Sequence, residues 1–123
     1  MIRSGLVSIT FRKLSPRQIV DLVLEAGLAG IEWGGNVHAP HGDVAAAQEI
    51  ARMCADAGLA IPTYGSYYRV GHPEETAFGD VLASAVALGA PTIRVWAGKI
   101  GSAEADAAYR SAVTADSRRI CAM

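Results

Sequence analysis

The sequence predicts an α/β protein of about four β-α units built around a parallel sheet. Three observations carry this prediction. Short strand-like runs alternate with helix-like runs along the whole chain. The segments EAGLAGIEWGG, DAGLAIPTYGS and ALGAPTIRVWAG repeat one design, and Gly27, Gly58 and Gly89 within them follow one another at intervals of 31 residues. Each of these glycines closes a helix-like run and opens a strand-like one, where a residue free to adopt positive φ makes the usual helix end.

Taken in order, the strands are expected over LVSITF, GIEWG, IPTYG and TIRVWA, that is residues 6–11, 30–34, 61–65 and 92–97. Strands that alternate with helices pair in parallel through right-handed crossovers. The first helix is announced by Ser15-Pro16-Arg17-Gln18, a capping box with proline at the first helical position. Asp43 suits the cap of the second, in which Ala47, Ile50, Ala51 and Cys54 share a face. Pro73, Glu74 and Glu75 suit the start of the third, with Phe78, Val81, Leu82 and Ala85 on its inner stripe. Ser102 suits the cap of the fourth, in which Tyr109, Val113 and Ile120 are spaced for burial. No linker or low-complexity stretch divides the chain, so residues 1–123 read as one domain.

Composition narrows the function. Hydrophobic residues make up 51% of the chain, enough for a core, and the formal charge of −1 gives no basic surface for nucleic acid. No apolar run is long enough to span a membrane, and the N-terminal MIRSGLVSITF lacks the pattern of a secretory signal. Cys54 and Cys121 form no ligand motif and suit reduced thiols in a cytoplasmic protein.

Alternation along the strands assigns faces. Ile31, Trp33, Ile93 and Val95 suit the helix layer. Glu32, Gly34, Arg94 and Trp96 then point the other way, together with Ser8 and Thr10 of the first strand and Ile61, Thr63 and Gly65 of the third. Glu32, Thr63 and Arg94 share one offset from the three capping glycines, which predicts three polar groups at one level near the strand ends. Glu32 and Arg94 can pair with each other there and still contact a ligand. In the stretch IEWGGNVHAPHGD, Asp43 is committed to the helix cap, the glycines turn the chain, and His41 is expected to be exposed. His38 is left as a substrate contact at the pocket mouth, as part of the loop, or as a metal ligand.

The stretches GLVSITFRKLSP, AGLAGIEWGGNVHAPHGD, AGLAIPTYGSYYRVG and ALGAPTIRVWAGKIGS resemble the N-terminal part of the sugar phosphate isomerase/epimerase family, within the xylose isomerase-like TIM barrel superfamily. That resemblance implies half of a TIM (β/α)8 barrel, whose full form takes about 250 residues. It implies proton transfer next to the carbonyl of a sugar or sugar phosphate, assisted by a divalent metal (Mn, Mg, Co or Zn). The metal ligands of such enzymes come from later strands, so this chain is expected to hold neither metal nor catalytic residues and to be inactive by itself. It is left with a substrate wall: Glu32 and His38 toward hydroxyl groups, Arg94 or Lys99 toward a phosphate or carboxylate, and Tyr64, Trp96, Tyr67 and Tyr68 stacking or shaping the cavity. The alternatives are a polyol dehydratase on the same scaffold, and a non-catalytic half-barrel that pairs with a second copy through its open edges. No partnership with nucleic acid or membrane is expected.

Overall fold

The computed structural model describes residues 2–123. Its strands are β1 (Gly5–Val7), β2 (Gly30–Gly34), β3 (Tyr64–Arg69) and β4 (Ile93–Trp96), all parallel and lying side by side in sequence order. The helices α1 (Pro16–Glu25), α2 (Val44–Asp56), α3 (Phe78–Leu88) and α4 (Ala107–Cys121) follow them one by one. This is the four-unit α/β arrangement that the repeat predicts.

The repeat glycines do what their spacing implies. Gly27, Gly58 and Gly89 take φ of 65°, 67° and 68°. Beyond each, the next amide closes the same bond five residues back: Leu28 N to Val23 O at 3.0 Å, Leu59 N to Cys54 O at 2.9 Å and Ala90 N to Ala85 O at 3.0 Å. That closure satisfies carbonyls which the helix end would otherwise leave open. At the other end of α1 the capping box is complete, with Ser15 Oγ accepting from Gln18 N and Gln18 Oε1 accepting from Ser15 N. Asp43 caps α2 by accepting from Ala46 N at 3.0 Å.

One face of the sheet is sealed by helices. Ile31 and Trp33 of β2 are fully buried against Ile19, Val20 and Val23 of α1 and Ala47, Ile50 and Cys54 of α2. Burying each large apolar side chain of this kind contributes about 1.5–3 kcal/mol. Phe78, Val81 and Ala85 of α3 are buried as their spacing predicts, while Leu82 is only partly so. The opposite face is open, with Val7 37% and Trp96 45% exposed, and a groove of about 290 Å³ runs along it past Gly5, Val7, Gly30, Ala60 and Pro62. β1 and β4 are the edges of the sheet.

Five boundaries depart by more than one residue from the sequence reading, one of them the end of β3, which runs to Arg69 and not to Gly65. β1 stops at Val7, because Ser8–Phe11 coils into a 3-10 turn that swings the buried Ser8 toward β2. The inner residues of β1 are therefore Gly5 and Val7, in register with Gly30 and Glu32, and not Ser8 and Thr10. β3 begins at Tyr64 and not at Ile61. Before it, Ala60 bridges Gly30, whereas Tyr64 pairs with Trp33, so β3 carries one residue more than β2 over this interval. Pro62, which lacks a ladder donor, lies in that irregular stretch, and Ile61 packs on the helix side. α3 starts at Phe78, after turns over residues 71–76, and not at Pro73. α4 is capped by Asp106, which accepts from Tyr109 N at 2.8 Å, and not by Ser102.

Candidate functional site

The open face carries an ion pair at its centre. Arg94 donates to Glu32 Oε1 twice, from Nε at 3.0 Å and from Nη2 at 2.7 Å. The Glu32 side chain is 12% exposed and that of Arg94 39%. The hydrogen bonds to Glu32 raise the Arg94 pKa above its ordinary value, despite partial burial. Glu32 Oε2 and Arg94 Nη1 have no hydrogen-bond partner among the described residues. Oε2 is not among the buried unpaired atoms, so it keeps contact with solvent.

Glu32 and Arg94 do not lie at one level, as the common offset from the glycines predicts. Arg94 pairs with Gly65 and Gly65 with Gly34, which sets Arg94 two residues beyond Glu32 along the sheet. The guanidinium reaches back over β3 to the carboxylate, and Gly65 is what lets it pass. A Cβ there would lie 2.8 Å from Glu32 Oε1 and 2.9 Å from Arg94 Nη2.

Just beyond Gly65 the ladder breaks. Between the Gly65–Arg94 and Arg69–Trp96 pairs, β3 has four steps where β4 has two. The surplus is taken up by a bulge in which the buried Ser66 donates to Arg94 O at 2.8 Å and Tyr67 adopts φ 60°. Tyr67 is the one non-glycine residue with positive φ among the described residues, a conformation that costs an L-residue about 1–2 kcal/mol. Its ring lies 6.4 Å from that of Trp96, and its hydroxyl accepts from Arg12 Nη2 at 3.3 Å. The Arg94 guanidinium in turn sits 5.8 Å from the Trp96 ring centre. Glu32, Arg94, Trp96, Tyr67 and Arg12 thus form one connected group toward the C-terminal ends of the strands. Arg12 was not singled out from the sequence. The signal for it was its position, in FRK at the end of the 3-10 turn that follows β1.

The other expected site residues lie elsewhere. Tyr64 is in register with Trp33 and Ile93, so it points into the helix-side core, fully buried, where its hydroxyl donates to Ala39 O at 2.7 Å. Burial pushes its pKa up to about 12. Tyr68 is likewise core: its hydroxyl donates to Asp116 Oδ2 at 2.8 Å, and its ring meets Phe78 edge-on. Lys99 is engaged by Glu75 on the loops beside α4, while its amide donates to Tyr109 Oη at 2.6 Å.

His38 is 7% exposed and bonded at both nitrogens, Nδ1 to Ser8 Oγ at 3.0 Å and Nε2 to Leu14 O at 3.1 Å. Leu14 O can only accept, so Nε2 carries a proton. Ser8 Oγ accepts from Gly34 N at 3.0 Å and has its own proton for Nδ1. Burial lowers the His38 pKa, the nearby Arg12 charge acts the same way, and the bond to Leu14 opposes both. His38 is therefore a neutral clasp between the ends of β1 and β2, with both ring nitrogens already engaged. His41 is not exposed as expected but half-buried, with its ring edge-on to Tyr64.

The residues present do not fit a divalent metal on the open face. It offers one carboxylate, Glu32, with one oxygen already taken by Arg94. Among the described residues the single three-donor group is His72, Glu74 and Glu75, on the loop after β3. There Lys99 holds Glu75, and His72 Nε2 lies 3.2 Å from Tyr109 Oη. No helix among the described residues is long and apolar enough to cross a membrane.

No family model matches the chain, and no curated protein matches it. Solved structures do. The probable 3-DHS dehydratase AsbF of Bacillus anthracis, involved in petrobactin synthesis, superposes with a TM-score of 0.76 at 23% identity, over 98% of this chain and 47% of its own. A protein of Rhodospirillum rubrum, provisionally assigned as a xylose isomerase, superposes with a TM-score of 0.73 at 18% identity, over 98% of this chain and 48% of its own. The chain spans about half the length of these structures. In strand order, helix placement and extent of overlap, the chain has the fold of one half of a TIM barrel.

Proposed function

We propose that this chain is the substrate wall of a barrel that isomerises or epimerises a sugar or sugar derivative. One observation carries the reading: the Glu32–Arg94 pair stands on the open face with an acceptor and donors to spare, beside the exposed indole of Trp96. In such barrels the reacting groups gather at the C-terminal ends of the strands. Glu32 Oε2 accepts from a substrate hydroxyl, Arg94 donates to an adjacent oxygen, and Trp96 with Tyr67 bears on the carbon skeleton. Holding the substrate in this way fixes which carbon is presented for proton transfer, and orientation of this kind lowers the barrier substantially.

The proton transfer itself is assigned to residues outside this chain. The divalent metal of such reactions polarises a carbonyl and its neighbouring hydroxyl when bound. Nothing on this wall makes a cage for it, so none of the roles above runs through a metal. Elimination of water from a polyol is a second use of the same wall, supported by the likeness of fold to a dehydratase.

The test pairs a metal probe with a turnover assay. With Mn²⁺ added, the chain is expected to give no aldose–ketose interconversion and no paramagnetic broadening of the amide signals of β2 and β4. Turnover by the chain alone, or broadening centred on Glu32, would overturn the assignment.

A further inference from the structure

We infer that the Glu32–Arg94 pair reads two neighbouring uncharged hydroxyl groups and rejects phosphate at that position. This rests on the substrate-wall reading and names the ligand chemistry that the wall takes. The sequence pointed the other way, with Arg94 or Lys99 as a phosphate binder.

The charge of Arg94 is not free. Nε and Nη2 both converge on Glu32 Oε1, so the guanidinium fork faces the carboxylate and the pair is neutral as a whole. What it presents outward is the acceptor Oε2 and the remaining donors of Nη1 and Nη2. A hydroxyl group both donates and accepts, and two adjacent hydroxyls match one acceptor beside one donor. A phosphate dianion brings acceptors almost alone. Its oxygens would stand against Oε2 where the Glu32 side chain is only 12% exposed and water screens poorly. To bind phosphate, Arg94 would have to leave Glu32, and that would strand a mostly buried carboxylate. Lys99 offers no substitute here, since Glu75 holds it. The groove beside Glu32 is lined mainly by small or apolar residues such as Gly5, Val7, Gly30 and Pro62, with Arg3 and Ser4 also in its lining, and Trp96 offers an apolar ring for C–H groups. At the Glu32–Arg94 position itself, a neutral pair favours a polyol over a polyanion.

The experiment is an NMR titration of the chain with a neutral pentitol and, separately, with the same pentitol carrying a phosphate ester, followed at the Trp96 indole and Arg94 Nε–H signals. The pentitol is expected to bind more tightly by about tenfold. Glu32→Gln keeps the shape of residue 32 but uncovers the charge of Arg94, and it is expected to reverse the order. Tighter binding of the phosphate ester by the wild-type chain overturns this inference while leaving the substrate wall in place. If neither ligand moves the Trp96 and Arg94 signals, the wall itself is wrong. The wild-type order decides the question by itself should the variant fail to fold.

Discussion

Arg94 meets Glu32 by crossing the one strand position between them that has no side chain. Both of its short contacts, 3.0 and 2.7 Å, end on a single carboxylate oxygen, and Gly65 lies beneath them. The pair is therefore a property of three strands together, and it can be broken from the middle one.

Gly65→Ala is the direct check. Its Cβ would lie inside contact distance of both charged groups, so the guanidinium must lift off. Loss of the pair leaves Glu32 mostly buried and unpartnered, and the expected cost is about 1–3 kcal/mol in urea unfolding. Ligand shifts at Trp96 are expected to vanish with it. A variant as stable as the parent, with the Arg94 Nε–H signal unmoved, would show that the strand can yield.

His38 sets a pH dependence. An unfolded imidazole takes up a proton near pH 6.5. The folded one, bonded at both nitrogens and lowered mainly by burial, does so only below that. Its contribution to stability is complete above about pH 6.5 and is lost as pH falls through the folded value. Glutamine can serve Leu14 O and Ser8 Oγ without titrating. His38→Gln is thus expected to flatten the stability profile between about pH 5 and 7, measured by urea unfolding across that range.

Asp116 works at lower pH. Burial alone would raise its pKa, but donation from Gly71 N, Tyr68 Oη and Arg119 more than offsets this and leaves it below the usual carboxylate range. These bonds tie α4 to β3 and to the loop that follows it. Asp116→Asn is expected to cost about 2–3 kcal/mol at neutral pH. The gap between variant and parent should persist down to about pH 4 and close as pH falls through the lowered folded value. Paired unfolding curves at pH 7 and at acid pH make the comparison.

Tyr67 separates stability from binding. Glycine takes φ of 60° without strain, so Tyr67→Gly recovers about 1 kcal/mol of backbone cost, against the loss of the Trp96 and Arg12 contacts. The melting temperature is expected to change little while ligand affinity drops. A large fall in melting temperature would mark Tyr67 as a packing residue instead.

The order of the units was legible because each carries its own punctuation. The three glycines, the Ser15 capping box and the Asp43 cap act locally, within one turn of chain. Glu32 and Arg94 were legible for the same reason, since alternation within a short strand fixes the face. What alternation could not supply was register between strands. The extra residue before Tyr64 and the bulge at Ser66–Tyr68 depend on which backbone lies alongside, and a spacing counted along one strand is blind to that. Tyr64 lies on the helix side, where alternation with Thr63 and Gly65 sends it, so its place on the substrate wall, like that of Tyr68 beyond the expected end of the strand, came from the resemblance and not from the strand pattern. His38 eluded the sequence for a different cause: Ser8 and Leu14, its partners, lie 30 and 24 residues away along the chain.

Strand neighbours in this sheet are also neighbours in sequence, so most of it can assemble by adding one unit to the last, each closing a loop of modest entropy. Glu32 and Arg94 are the widest exception, beyond Arg12 and Tyr67, which are 55 residues apart. Glu32 and Arg94 stand 62 residues apart, the longest span of any hydrogen bond among the described residues. Their contact cannot form until three consecutive units have docked. In kinetic terms the candidate site is then among the last parts of the chain to be completed, and its appearance reports that folding of the preceding units is over.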